Sequence, residues 1–244
     1  MLVSTQNTHT KQKVAVHLRT TIRKNEYSLI STVGVAIGNH RIEIDSSAVK
    51  LNGKKLARET KFPITLVDGH EDTDSDDGHI ITIRKIGKKI KGSRKRKKEY
   101  TIDWGTGSHI FVTVLDIFLY VEVVGNEADF DTSVGMMGEY GTGKMLDRQG
   151  NPMNMDDMTA YGMEWQVRPN EDVNVFSWDR SPQWPEESCR MPKFSIAETK
   201  ARNLRSDPNL QKRAENACAR ARDFKVCVED VVTTKNPGLA QTYF

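Results

Sequence analysis

The first regularity along the chain has a period of two. Val14, Val16 and Leu18 alternate with Ala15, His17 and Arg19, which gives an extended segment one apolar side, the pattern of a half-buried strand. Further strands are predicted over 29–37, 41–44, 62–67 and 79–86. Val49-Lys50-Leu51 and Lys54-Lys55-Leu56 flank Asn52-Gly53. Asn-Gly supplies the positive φ of a type I′ turn, so these residues predict a hairpin. The most apolar part of the chain runs over 100–167. It holds a strand from Tyr100, a Gly-rich turn and the longest apolar run, 110–124. The glycines Gly135, Gly138, Gly141, Gly143 and Gly150 follow, and then a closing strand over 161–167. Strands at this spacing, joined by short turns and without intervening helices, predict an all-β fold, an antiparallel β-sandwich or meander.

The ends of the chain read differently. Residues 1–13 are polar and are expected to be disordered, as unanchored termini are. The β domain spans 14–168, and a connector over 169–205 follows. Pro169, Pro182, Pro185 and Pro192 exclude a regular helix or a central strand there. Trp178 and Trp184 are expected to pin this connector to the sandwich. Residues 206–244 predict a short C-terminal helical appendage. Asp207 suits an N-cap and Pro208 the first helical position. Leu210, Ala214, Ala217, Cys218 and Ala221 fall on one helical face. Residues 224–232 extend the helix or turn into a short strand.

Composition narrows the classes. Hydrophobic residues make up 37% and charged residues 28%, enough to bury a core in a chain that is otherwise polar. A net charge of +3 does not by itself imply a nucleic-acid partner. No window holds the roughly 18 apolar residues of a membrane span. The run 110–124 is shorter and contains Asp116 and Glu122. The N-terminus lacks the apolar stretch of about 7–15 residues that a secretory signal peptide needs.

Charge is unevenly spread. Lys88, Lys89, Lys91, Arg94, Lys95, Arg96, Lys97 and Lys98 place eight cations in eleven residues. Such a hairpin suits an anionic surface, nucleic acid or nuclear import, or is simply solvated. It has no aromatic residue on which bases would stack, so nucleic acid is not the favoured partner. Asp72, Asp74, Asp76 and Asp77 form an acidic turn. An EF-hand loop would need Gly at its sixth position and Glu at its twelfth, where Asp77 and Ile83 stand. In a meander the acidic and basic turns lie at opposite ends of the strand 79–86, about 25 Å apart. That arrangement suggests a dipolar sandwich able to associate head to tail.

Candidate chemistry is sparse. Gly138 to Lys144 matches most of a phosphate-binding loop, but Met145 takes the position of the magnesium-binding hydroxyl. The residues after it do not predict the helix whose N-terminus would hold phosphate. Tight turns between strands are the expected structure. His9, His17, His40, His70, His79 and His109 show no HxxxH spacing. Ser108 and Ser133 lack a nucleophile-elbow context. The chain is read as a non-enzyme with no small-molecule substrate and no cofactor, calcium apart.

Over residues 14–167 the chain resembles a von Willebrand factor type D domain. The residues that carry this are Val14 to Thr20, Ser31 to Gly38 and Val49-Lys-Leu-Asn-Gly. The apolar run 110–124 and Ser133-Val-Gly-Met-Met-Gly138 add to it. The last is similar to the family's Cys-Gly-Leu-Cys-Gly-Asn box, and Asp156, Asp157 and Gly162-Met-Glu-Trp165 to its closing segment. The family's opening strand has no counterpart, so N-terminal strands of the domain are expected to be missing from this fragment. Val134 and Met137 stand where the family has disulfide-forming cysteines, and apolar packing is expected to replace those crosslinks. The family's calcium loop follows the box. Here Lys144 occupies a ligand position, which leaves Glu139, Asp156 and Asp157 as a calcium remnant.

The tail from Ala214 to Val232 resembles cysteine-bearing helical segments that follow such domains. This resemblance implies a Cys218–Cys227 disulfide, with the pairing of Cys189 left open. It also implies an extracellular or cell-surface protein: a non-catalytic structural or adhesion module that binds other proteins or itself. The alternative expectation is an intracellular protein that binds anionic surfaces or nucleic acid through the basic hairpin 88–98.

Overall fold

A computed structural model describes all residues except 8–10, 24–26, 69–78, 90–95, 155–157, 169–174 and 177–193. The strands build two antiparallel sheets whose spatial order follows the chain, so each is a meander. The first sheet holds β1 (Val3–Gln6), β2 (Lys13–Arg23), β3 (Tyr27–Ile37), β4 (His40–Asp45), β5 (Val49–Leu51) and β6 (Lys54–Lys55). The second holds β7 (Ile64–Asp68), β8 (His79–Lys89), β9 (Arg96–Asp103), β10 (His109–Leu115) and β11 (Phe118–Val124).

Alternation decides which side of each strand is buried. Val14 and Val16 on β2, Val33, Val35 and Ile37 on β3, and Ile42 and Ile44 on β4 turn inward. Ile81, Ile83, Tyr100, Ile102, Ile110, Val112 and Val114 meet them from the second sheet. Trp104 and Phe130 close one end of this core, with ring centroids 6.3 Å apart. The Asn52-Gly53 turn has φ of 48° and 80°, the pair of positive values that a type I′ turn requires.

Three elements differ from the sequence expectation. Val3–Gln6, within the stretch expected to be disordered, is an edge strand paired with β2, Val3 opposite Val16. Its alternation is only four residues long, with Val3 and Thr5 buried, too short to read among polar neighbours. Residues 161–167, expected as a closing strand, instead fall largely in the helix α2 (Met158–Glu164), which follows the short helix α1 (Glu127–Phe130). Its buried anchors, Tyr161 and Trp165, are four apart, a spacing that suits one face of a strand and one face of a helix equally. The Tyr161 hydroxyl donates to the Gly135 carbonyl at 2.8 Å. The Trp165 indole donates to the Leu146 carbonyl at 3.1 Å.

The third difference is in the appendage. Helix α3 (Ile196–Ser206) occupies residues assigned above to the connector, and a Ser195–Glu198 capping box starts it. Asp207 therefore caps the C-terminus of α3, with its N–H bonded to the Asn203 carbonyl, and does not N-cap the next helix. Its carboxylate is held by Arg213 at 2.5 Å. Asn209 begins α4 (Leu210–Cys218). Residues 224–232 are helical, within α5 (Phe224–Thr234), and a 3-10 helix (Pro237–Tyr243) ends the described chain. Among the described residues no helix is long and apolar enough to cross a membrane.

The appendage has its own core and is docked on the sandwich. Leu210, Ala214, Cys218, Cys227, Val228, Val231, Val232 and Leu239 pack with Leu29 of β3 and Phe118 of β11. The Cys218–Cys227 disulfide lies inside this cluster. Arg222 grips Glu122 of β11 through two bonds of 2.9 and 3.2 Å. The Tyr243 ring packs at a tilt against Tyr120, with centroids 5.7 Å apart.

Candidate functional site

The loop that resembles the type D box is fixed by backbone and leaves its apolar side chains outside. Val134 and Ser4 exchange backbone bonds of 2.8 and 2.9 Å, and the Met137 N–H donates to the Leu2 carbonyl at 3.1 Å. The loop thus extends the edge at β1. Gly135, at φ 130°, allows a close approach there: a Cβ would lie 2.6 Å from the Leu2 carbonyl oxygen. Apolar packing was expected at Val134 and Met137 in place of crosslinks. Instead they are 46% and 45% exposed, with Met136 at 37% and Tyr140 at 41%. Backbone pairing to β1 does the work assigned to side-chain packing, and it frees the side chains to point outward.

Residues 138–144 form turns and no phosphate loop. The Glu139 N–H donates to the Lys144 carbonyl at 2.9 Å, and the Gly143 N–H to the Glu139 carbonyl at 2.9 Å. No described helix starts behind them. Glu139 accepts from the Thr142 hydroxyl at 2.5 Å. Asp156 and Asp157, the other two residues expected as a calcium remnant, lie outside the described residues, as does the acidic turn 72–78. Among the described residues no group of three or more His, Cys, Asp or Glu is placed to hold a metal ion.

The basic hairpin divides. Lys91, Arg94 and Lys95 lie outside the described residues. Lys88 and Lys89 end β8 and pair with Lys97 and Arg96 at the start of β9. Lys97 is buried and committed: it bonds the Phe244 carbonyl at 3.0 Å and Glu99 at 2.9 Å. Lys98 reaches across to the Ser46 carbonyl at 3.3 Å. These two cations hold the fold together and are not a free anion-binding surface. The pairing of β9 with β8 predicted a hairpin, but a C-terminal segment arriving on Lys97 gave no sign in the local pattern.

One buried polar cluster went unread in the sequence. Asp129, in the single turn of α1, accepts hydrogen bonds from the hydroxyls of Thr106 and Ser108 and from the Asn7 amide at 2.6 Å. Burial pushes its carboxyl up, but the Ser108, Thr106 and Asn7 donors outweigh this and hold it below the ordinary aspartate range. Asn126 N-caps the turn, accepting from the Asp129 N–H at 3.0 Å. Thr5 donates to the Asp129 carbonyl at 2.5 Å. Every donor here is neutral and supplied by a loop or edge, and the cluster ties β1, the β9–β10 turn and the end of β11 together. Its chemistry is that of a structural anchor.

A second, half-buried carboxyl behaves oppositely. Burial raises Asp230 above the usual range, and the Tyr243 hydroxyl that donates to it only partly offsets this. Tyr243 is itself pushed up by burial and by the neighbouring Asp230 carboxylate.

No protein-family model matches the chain, and no curated protein matches it significantly.

Proposed function

We propose that the chain is a non-catalytic, extracellular module that works by protein–protein association, built in the manner of a von Willebrand factor type D domain. The observation that carries this reading is the loop with exposed Val134, Met136 and Met137, whose backbone is pinned to residues 1–4 while these apolar side chains face solvent. Grouped exposed apolar side chains on a fixed backbone suit a partner surface, because little ordering is required on binding. The disulfide in the appendage supports an oxidising compartment, where such bonds persist. The internal bonds of Lys97 and Lys98 weigh against an anionic-surface role for the whole basic run.

The test is adhesion. Beads coated with the chain should bind one another or an extracellular matrix. Val134→Ser with Met137→Ser should reduce that binding at least tenfold without moving the unfolding midpoint. Equal adhesion by both proteins would remove the loop from the proposal. Denatured, unreduced protein recovered from a secretory host should present no thiol beyond Cys189. Free thiols at Cys218 and Cys227 in that material would count against the extracellular reading.

A further inference from the structure

The outer strands of a sheet present backbone groups that need a partner or a guard. Here β1 is bridged to Val134, and β6 is two exposed lysines long. On β11, Phe118 and Tyr120 pack with the appendage, and Glu122 is held by Arg222. Among the described residues the fourth edge, β7, has no such guard. Residues 62–67 read Phe-Pro-Ile-Thr-Leu-Val and carry no charge. Val67 is 63% exposed and lies opposite Ile80, itself 55% exposed.

The direction of the β7 backbone follows from its neighbour. A Cβ at Gly105, just beyond β9, would lie 3.5 Å from the Ile80 carbonyl oxygen, so that carbonyl points to the β9 side. The N–H and C=O of one strand residue point the same way, and the direction alternates along the strand. Val67, opposite Ile80, therefore turns its N–H and C=O to the open side, as Thr65 does, and Pro63 its carbonyl. The Val67 carbonyl agrees with this, because it accepts from His40 Nε2 at 3.0 Å. His40 shares a face of β4 with Ile42 and Ile44, so it arrives from beneath the second sheet. Among the described residues no backbone bond outside the β7–β8 ladder reaches the N–H groups of Thr65 and Val67 or the carbonyls of Pro63 and Thr65.

These groups are complementary to themselves. We propose that β7 of a second copy pairs antiparallel with this edge about a two-fold axis at Thr65, joining two five-stranded sheets into one. The two Thr65 residues then exchange both backbone bonds. Each Val67 N–H donates to the other copy's Pro63 carbonyl. Proline has no N–H to return, and the Val67 carbonyl that would have received it is the one His40 already holds. Moving the axis to Leu66 would instead aim the Thr65 N–H at that occupied carbonyl, so the donor pattern selects the register. On the outer face Val67 gains Pro63 of the other copy. On the inner face Ile64 meets Leu66, both already packed on the core. An edge this short buries less than about 1,200 Å², so the dimer is weak and reversible. It forms on the other sheet from the edge that the Val134 loop extends and does not depend on that loop.

The axis gives the test. Thr65 is exposed and would face its own copy with about 5.5 Å between Cα atoms. Thr65→Lys and Thr65→Glu each set like charges opposite one another. Each alone should stay monomeric at about 1 mM, where the wild type should form dimers by analytical sedimentation. Mixed one to one, they should form a heterodimer that added salt weakens. Thr65→Pro removes the central N–H on the open side, leaves the β7–β8 ladder intact and should weaken the dimer at least tenfold. Should Thr65→Pro fail to fold by circular dichroism, the charge pair carries the test. A wild type that stays monomeric, or charge variants that dimerise as the wild type does, overturns the proposal. So does a mixture that stays monomeric, or a folded Thr65→Pro that dimerises unchanged.

Discussion

The Asn7 side-chain amide donates to the Asp129 carboxylate at 2.6 Å and joins positions 122 apart in the chain. This bond makes the N-terminal edge strand part of the sandwich. It adds to the ladder with β2, the bridge to Val134, the Thr5 bond to the Asp129 carbonyl and the Gln6–Thr132 bonds. Asp129→Ala should be strongly destabilising, by about 3 kcal/mol, because it orphans the Thr106, Ser108 and Asn7 donors at once. Asn7→Ala should cost about 1–2 kcal/mol, since the carboxylate keeps its hydroxyl donors. Urea unfolding of both variants measures this. A loss smaller for Asp129→Ala than for Asn7→Ala would contradict the geometry.

The carboxyls of Asp129 and Asp230 predict opposite pH dependences. The Asp129 pKa is lowered in the folded state, so its contribution is present above the unfolded value, about 3.9. It is lost as pH falls through the folded value. The Asp230 pKa is raised, so its contribution is present below the unfolded value and lost as pH rises through the folded one. Asp129→Asn should therefore flatten the acid loss of stability. Asp230→Asn should steepen it, by removing a group that gains on protonation. Unfolding midpoints from pH 3 to pH 7 for the three proteins check the signs. Parallel curves for all three would rule out both assignments.

Most of the sandwich is legible in the sequence because half-buried strands write their burial as alternation. Val14, Val16 and Leu18, or Val33, Val35 and Ile37, can be assigned by eye. The misreadings have local causes. Tyr161 and Trp165 stand four apart, and that interval belongs to both a strand face and a helix face. The boundary at Asp207 slipped because a good N-cap residue there closes the preceding helix. The Asp129 cradle was invisible for a different reason. Asn7, Thr106, Ser108 and Asp129 are ordinary turn residues, and only the closure of the sheets brings them together. The close approach of Val175 to Gly34 is of the same kind: a Cβ there would lie 2.9 Å from Val175 Cγ1, and the two residues are 141 positions apart.

The disulfide should stabilise the appendage more than the sandwich. It spans 9 positions and is buried among Leu210, Ala214, Val231 and Leu239. Closing a loop of that size is worth about 2–3 kcal/mol in the chain-entropy model. Reduction, or Cys218→Ala with Cys227→Ala, should speed hydrogen exchange across α4, α5 and the 3-10 helix. Amides of β2 and β3 at Val16 and Val35 should keep their protection. Equal loss of protection in both regions would mean that the appendage and sandwich unfold as one unit.

Two glycines without positive φ separate packing from backbone effects. A Cβ at Gly125 would lie 2.0 Å from the Phe130 ring, whereas at Gly87 nothing comes within 4 Å. Gly125→Ala must push Phe130 out of its place beside Trp104 and should cost about 1–3 kcal/mol. Gly87→Ala lies in β8 and should be neutral or slightly stabilising, by up to about 1 kcal/mol. Thermal unfolding of the pair distinguishes them, and a neutral Gly125→Ala would mean that Phe130 can be repacked freely.

Lys97 separates structural from solvated charge within the basic hairpin. Its ammonium joins β9 to the Phe244 carbonyl and also bonds Glu99, so its truncation removes both contacts at once. Lys97→Ala should destabilise by about 1–3 kcal/mol and loosen the 3-10 helix against β10. Loss of only one exposed charge would instead change stability by less than about 0.5 kcal/mol. Lys54→Ala on the exposed edge strand β6 is the matching control. Proteolysis after residue 236 should be faster in Lys97→Ala than in Lys54→Ala. Identical cleavage rates and midpoints would show that Lys97 does not anchor the C-terminal segment.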